Sequence, residues 1–188
     1  YLTMFKEIEN SFDQSSNRNI DLVFLQAGVG SMAASGVYHF LNKYGAKRPK
    51  IVIVEPEAAD GILLSFKNNK ISTSEGNGIT IMAGLNCGTP SLGAWDLLKN
   101  GTDYTFKIND NYVKQAIREF YYPIGTDKRI ISGESGAAGF AGFLALINDS
   151  EIKPMKEALG IGKNTNILFI NTEGDTDKQV FGEIVNEN

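Results

Sequence analysis

The sequence predicts a three-layer α/β/α fold built on a mostly parallel sheet. Two observations carry this prediction: short apolar runs alternate with helical patterns along the chain, and a glycine turn directly follows the first run. This alternation is typical of a parallel sheet that is covered by helices on both faces. No repeat, low-complexity tract or Pro-rich linker divides the chain, so we expect residues 1–188 to form a single α/β domain without an internal boundary.

The spacing of apolar residues predicts four strands and eight helices. The strands are expected at Leu22–Leu25, Ile51–Val54, Tyr104–Ile108 and Ile167–Ile170. An amphipathic helix is expected at the start, where Leu2, Phe5, Ile8 and Phe12 have helical spacing. The other helices are expected at Met32–Tyr44, Asp60–Asn68, Ser91–Lys99, Asp110–Tyr121, Gly136–Ile147, Ile152–Leu159 and Asp177–Val185. The stretch 69–89, rich in Gly, Ser, Thr and Asn, interrupts this rhythm, and a connection of that length is usually functional or mobile.

Composition narrows the class of ligand. The chain of 188 residues is 42% hydrophobic, which suffices for a sizeable core, and no segment predicts a membrane span. A net charge of -4 without a Lys/Arg cluster argues against nucleic acid as the ligand and favours a small molecule.

Cys87 is the only cysteine and no signal peptide is evident, so a cytoplasmic location is expected. Because the chain begins without Met inside a helical pattern, we expect a fragment of a longer protein.

The first glycine turn predicts a site for an anion, and a phosphate in particular. Gly28 and Gly30 permit close approach of the backbone, while Ser31 and the first amides of the next helix offer donors. On its own, the stretch from Gly28 to Ala33 also matches the glycine fingerprint of dinucleotide folds, with Glu55 in the place of the ribose-binding acid. An NAD-binding oxidoreductase domain is therefore one alternative, in which Glu55 binds the ribose. Glu55 could equally be an ordinary exposed residue at the end of a strand.

Two further turns carry polar residues near strand ends or helix starts. After the third predicted strand, Glu134 lies in a Gly/Ser turn where packing explains a carboxylate poorly, although it could also be an exposed acid at a helix N-terminus. Gly139 and Gly142 are assigned a packing role in the helix that follows. After the last strand, Thr172 is placed where a hydroxyl could meet a ligand, since ligands gather at the carboxyl ends of parallel strands.

Other polar residues favour structural roles. Asp175 and Asp177 are predicted to cap the last helix, and no His or Cys joins them as a metal ligand, so no metal is expected. His39 is the only histidine and lies within a predicted helix, which favours a surface or packing role. Cys87 has no neighbouring base, which disfavours nucleophilic hydrolysis. A non-catalytic ligand-binding or regulatory α/β module remains a further alternative.

Taken together, the turns resemble a known superfamily. The stretches Gln26–Ala34, Glu55–Ile62, Ile81–Ser91, Ser132–Ala137 and Asn171–Asp175 resemble, over nearly the whole chain, the fold-type II pyridoxal phosphate enzymes, and among them the diaminopropionate ammonia-lyases. The resemblance implies pyridoxal 5'-phosphate (PLP) as the cofactor, a small amino acid as the substrate and a homodimer as the assembly. It implies α,β-elimination of 2,3-diaminopropionate to pyruvate and ammonia.

The resemblance also implies roles for individual residues. Gly28, Val29, Gly30, Ser31 and Met32 would hold the cofactor phosphate, and Thr172 would face the pyridine nitrogen. Gly84 and Glu134 would lie near the ring. A neutral hydroxyl opposite the nitrogen does not stabilise a protonated ring, which suits β-elimination.

One expected feature of the superfamily is missing from these residues. The lysine that forms a Schiff base with the cofactor belongs to an N-terminal segment to which no part of this chain corresponds, and the acid/base aspartates would also lie upstream of Tyr1. The chain thus resembles the C-terminal portion of such an enzyme, with no catalytic residue of its own. We expect the isolated fragment to be inactive.

Overall fold

The computed structural model describes residues 1–14 and 19–187. Its strands are β1 (Leu22–Gln26), β2 (Lys50–Pro56), β3 (Tyr104–Ile108) and β4 (Ile167–Phe169). They form one parallel sheet in the order β3-β2-β1-β4, with Val23 opposite Ile51 and Leu168. All four predicted strands are confirmed, and the hydrogen-bond register extends β1 and β2 by one to three residues beyond the apolar runs.

Eight α-helices surround this sheet in the part of the chain that the structure describes. They are α1 (Leu2–Gln14), α2 (Ser31–Tyr44), α3 (Gly61–Asn68), α4 (Leu92–Gly101), α5 (Asp110–Tyr121), α6 (Glu134–Asn148), α7 (Lys153–Leu159) and α8 (Lys178–Asn186). Each corresponds to a predicted helix, which confirms the α/β class. Among these helices, none is long and apolar enough to cross a membrane.

Successive side chains of the central strands point to opposite faces of the sheet and divide the core into two layers. In β1, Val23 and Leu25 pack with α1, α2 and α4, whereas Leu22 and Phe24 pack with α5, α6 and α8. All four side chains are at most 1% exposed. A strand buried on both faces reads as a continuous apolar run because neither face meets water. This burial fixes the end of β1, and therefore the turn that follows it.

Helix α6 lies so close to the sheet that an added side chain would be crowded at two of its positions. A Cβ atom on Gly142 would lie 2.5 Å from Cγ2 of Val54, and one on Gly139 would lie 3.3 Å from the carbonyl oxygen of Phe24. The packing role predicted for both glycines is confirmed by these contacts. The close approach brings the N-terminus of α6 next to the carboxyl end of β1.

This packing predicts opposite effects for two glycine-to-alanine changes. Gly142→Ala is expected to lower the free energy of unfolding by about 1–3 kcal/mol, because the added methyl overpacks the interface with Val54. Gly182→Ala, in α8, meets no atom within 4 Å and is expected to raise it by about 0.5–1 kcal/mol through helix propensity. Urea denaturation of both variants measures the difference. Equal effects would contradict the close packing of α6.

The glycine-rich stretch 69–89 contains a single 3-10 turn, Ala83–Leu85, among the described elements. It is tied to the domain by hydrogen bonds from the Ser74 hydroxyl to Asp60 (2.6 Å) and from the Thr80 hydroxyl to Asp110 (2.6 Å). Met82 is completely buried and Leu85 is 7% exposed. The stretch is thus anchored at several points, and its 3-10 turn lies against the turn after β1.

Candidate functional site

The turn between β1 and α2 presents backbone amides to a cavity. Gly30 precedes α2 with φ of 86°, in the left-handed region, and a Cβ atom there would lie 2.6 Å from Cδ1 of Leu98. Gly28 is favoured for another reason, because a Cβ atom would be crowded at 3.2 Å from both Cα and the carbonyl oxygen of Leu85. A larger residue at either position would displace the turn.

The N-terminus of α2 has no side-chain cap. At four other helices a side chain accepts hydrogen bonds from the first amides: Glu55 at α3, Asn109 at α5, Glu173 at α6 and Asp177 at α8. The first N–H groups of a helix have no partner within the helix, and the helix dipole adds partial positive charge there. The start of α2 therefore offers free donors to an anion.

A cavity of about 360 Å³ lies over these donors. It is lined by Tyr1, Gln26, Ala27, Gly28, Val29, Gly30, Ser31, Met32, Gly84, Leu85, Cys87, Ser135, Thr172 and Glu173. Among the predicted cofactor-binding residues, all except Glu134 line this cavity. The three glycine turns identified in the sequence thus meet at one place. No Lys or Arg side chain is among the described residues that line it.

Gly84 is held against the start of α6. Its amide donates to Oγ of Ser135 at 3.0 Å, and a Cβ atom on Gly84 would lie at the same distance from that oxygen. This contact fixes the wall of the cavity opposite the turn after β1. Ser135, the residue after the predicted Glu134, is therefore a site residue that the sequence analysis missed.

Thr172 is oriented by a buried amide. The side chain of Gln26 is 2% exposed, and its Nε2 donates to the carbonyl oxygen of Ile170 at 2.8 Å and to Oγ1 of Thr172 at 3.1 Å. Gln26 comes directly before the glycine turn, so the end of β1 supports the Thr172 hydroxyl as well as the amides of α2.

Glu134 lies behind the cavity wall. It is 7% exposed, and its Oε1 atom is buried without a hydrogen-bond partner among the described residues. Burial raises the pKa of Glu134, and the negative charges of Glu173 and Asp177 raise it further. Its predicted place near a cofactor ring stays a prediction. The alternative interpretation, an exposed acid at a helix N-terminus, is wrong because the side chain is buried.

Glu173 takes the capping role at α6. Its Oε2 accepts from the amides of Ser135 at 2.7 Å and of Gly136 at 3.3 Å. This cap explains why α6 begins at Glu134, two residues before the predicted start at Gly136. The acid and the amides lie 38 and 37 positions apart, so no local pattern could have indicated the pairing.

Glu55 contradicts both interpretations made from the sequence. It is completely buried rather than exposed, and its two carboxylate oxygens accept from the amides of Ile62 and Leu63, each at 2.7 Å. A carboxylate held by the start of α3 is not free to bind a ribose. The dinucleotide alternative therefore loses the residue on which it depended.

The remaining polar residues have structural roles. Asp177 caps α8 as predicted, accepting from the amides of Gln179 and Val180, whereas no such bond is formed by Asp175 among the described contacts. His39 is 8% exposed, stacks on Phe5 and places Nε2 3.0 Å from a carboxylate oxygen of Glu9. The predicted packing role of His39 is confirmed.

Comparisons with known proteins identify related enzymes. Diaminopropionate ammonia-lyase of Escherichia coli K12 is 38% identical over 163 residues, which are 87% of this chain and 41% of that protein. The enzyme of the same name from Salmonella typhimurium is 32% identical and covers 98% of this chain and 46% of its own length. The chain thus spans about half the length of these relatives.

Solved structures give the same picture. The crystal structure of E. coli diaminopropionate ammonia lyase with a PLP-bound reaction intermediate matches all of this chain and 47% of its own, at 34% identity and a TM-score of 0.90. A threonine deaminase from Solanum lycopersicum, at 21% identity and a TM-score of 0.78, shares the fold over 97% of this chain. The sequence profile of the pyridoxal-phosphate dependent enzymes matches residues 1–162. The chain belongs to the pyridoxal-phosphate dependent enzyme family.

Proposed function

We propose that this chain supplies the phosphate cup and the support of the pyridine nitrogen in a PLP-dependent diaminopropionate ammonia-lyase. The whole enzyme would convert 2,3-diaminopropionate to pyruvate and ammonia by α,β-elimination. The observation that carries the proposal is the uncapped start of α2, which opens into a cavity lined also by Thr172 and Gly84. The relatives named above support the choice of substrate.

The lining residues fit PLP. A phosphate needs several donors, and the amides from Gly28 to Met32 supply them together with the Ser31 hydroxyl and the dipole of α2. Because no cationic side chain lines the described cavity, backbone donors would carry this part of the binding. Thr172 lines the same cavity, and its hydroxyl would face the ring nitrogen.

When bound, PLP supplies an electron sink that activates an amino acid at its α carbon. The residues of this chain would hold and orient the cofactor in such a site. Thr172 would offer a neutral partner to the ring nitrogen. Glu134, buried and with a raised pKa, would add a polar group behind the ring.

We also propose that the lysine which binds the cofactor covalently comes from a part of the enzyme outside these 188 residues. No lysine is among the described residues of the cavity wall, and the chain covers less than half of its curated relatives. The isolated chain would then be inactive. Exposed apolar side chains such as Leu92 (82%) and Ile124 (87%) offer surface for the rest of the enzyme or for a second subunit. A homodimer and a cytoplasmic location stay predictions.

Enzyme assays test this proposal. The full-length protein that contains this sequence is incubated with 2,3-diaminopropionate, and both pyruvate and ammonia are measured after dialysis with and without PLP. We expect one pyruvate for every two molecules of ammonia, dependent on PLP, and no product from the isolated 188 residues. L-serine and L-threonine serve as substrate controls. A protein that binds PLP but forms no pyruvate from diaminopropionate would contradict the proposed substrate.

A further inference from the structure

Gln26 combines features that packing alone does not explain. It is a long polar side chain buried to 2% exposure at the end of a central strand. Both of its amide hydrogens have acceptors, the carbonyl oxygen of Ile170 and Oγ1 of Thr172. Reversing the amide would place its oxygen against the Ile170 carbonyl oxygen, so the hydrogen bonds fix the orientation.

The bond to Gln26 restricts what the Thr172 hydroxyl can do. A hydroxyl has one hydrogen to donate and can accept through its oxygen lone pairs. Since Nε2 of Gln26 has only hydrogens, the oxygen of Thr172 must act as the acceptor between them. The hydrogen of Thr172 is left to donate elsewhere, and the residue lines the cavity.

From this geometry we infer that Gln26 is a positioning residue that orients the hydroxyl of Thr172 so that its hydrogen is available to the pyridine nitrogen of PLP. A nitrogen that accepts a hydrogen bond must be unprotonated. Gln26 would thereby keep the ring neutral, while Thr172 is the residue that touches the cofactor. This inference rests on the proposed function, because it requires PLP in the cavity with its nitrogen at Thr172.

The residues around Gln26 leave space for its side-chain amide. A Cβ atom on Gly139 would lie 3.2 Å from Oε1 of Gln26, so the glycine in α6 makes room for the amide. The titratable side chains that line the cavity are those of Tyr1, Cys87 and Glu173. The Glu173 carboxylate accepts from the amides of α6, and Glu134 lies behind the wall. Negative charge on Glu173 or Glu134 would favour a protonated ring nitrogen. The bond from Gln26 would act against protonation, because it leaves the hydrogen of Thr172 for donation to that nitrogen.

The test is a ¹⁵N NMR measurement on the full-length holoenzyme reconstituted with PLP labelled at its ring nitrogen. We expect the parent to show an unprotonated nitrogen from pH 6 to pH 9. In Gln26→Met the hydroxyl of Thr172 can rotate and accept, so the resonance should move toward the protonated position and the apparent pKa of the nitrogen should rise by about one unit or more. The same change in a Thr172→Val background should have no further effect, because the hydroxyl is absent.

Each outcome bears on the inference. A protonated ring nitrogen in the parent at pH 7 overturns it without any variant, which keeps the test decisive if Gln26→Met does not fold. An unchanged resonance in Gln26→Met, or an equal shift with and without the Thr172 hydroxyl, also overturns it and leaves the proposed function standing. Failure of the parent to bind PLP overturns both.

Discussion

Gly30→Val is expected to weaken PLP binding by about 100-fold or more. The backbone at Gly30 has φ of 86°, which a β-branched residue rarely adopts, and the new side chain would also collide with Leu98. The turn must therefore rebuild, and the amides that start α2 no longer converge. Losing two charge-assisted hydrogen bonds to phosphate costs about 3 kcal/mol, which corresponds to the expected loss of affinity. Equilibrium titration of the apoenzyme with PLP measures it.

Gly160→Val is the matched control. Gly160 also has positive φ, at 71°, but it ends α7 and has no atom within 4 Å of an added Cβ. The control should lose stability through the same backbone strain. Its affinity for PLP should stay within about twofold of the parent, because Gly160 does not line the cavity. Similar losses of affinity in both variants would show that strain, and not the phosphate cup, is being measured.

Glu55→Ala is expected to lower the free energy of unfolding by about 3–5 kcal/mol. The side chain is completely buried, and its removal leaves a cavity and the amides of Ile62 and Leu63 without acceptors. Urea denaturation at pH 6 measures this loss. An effect below about 1 kcal/mol would mean that α3 does not depend on this cap.

Glu55 also predicts how stability depends on pH. Burial raises its pKa to about 8 in the folded protein from an ordinary value of 4.5, although the two amides favour the charged form. The folded state therefore binds the proton more tightly than the unfolded chain does. This contribution to stability is complete below pH 4.5 and is lost as the pH rises through 8, with a slope of up to about 1.4 kcal/mol per pH unit.

The isosteric variant isolates this effect. Glu55→Gln cannot titrate, so its free energy of unfolding should lack the decline between pH 5 and pH 8 that the parent shows, a difference on the order of 1 kcal/mol per pH unit. Glu183→Gln, which removes an exposed carboxylate of α8, should follow the parent. Parallel curves for the parent and Glu55→Gln would contradict a raised pKa at Glu55.

The order of strands and helices was predictable because local signals agree with the global fold. The run from Leu22 to Leu25 is apolar throughout since it is buried on both faces, and the turn that follows needs glycine at position 30 for its backbone angle. Such signals lie within a few residues of one another. The turn after β1 was therefore recognisable from the sequence alone as a candidate anion site.

The supporting residues were not predictable because their partners are distant in sequence. Gln26 and Thr172 are 146 positions apart, and Glu173 reaches the start of α6 across 38 positions. A glutamate at the end of a strand, as at Glu55, has the same local pattern whether it binds a ribose or caps the next helix. Only the packing of α3 against the end of β2 distinguishes these roles.

In the proposed site, the turn from Gly28 to Met32 holds the phosphate of PLP. A crystal structure of the full-length protein with PLP would show whether it does. We expect phosphate oxygens within about 3.2 Å of the amides of this turn, with the ring nitrogen beside the hydroxyl of Thr172. A phosphate bound elsewhere, or a ring whose nitrogen faces away from Thr172, would contradict it.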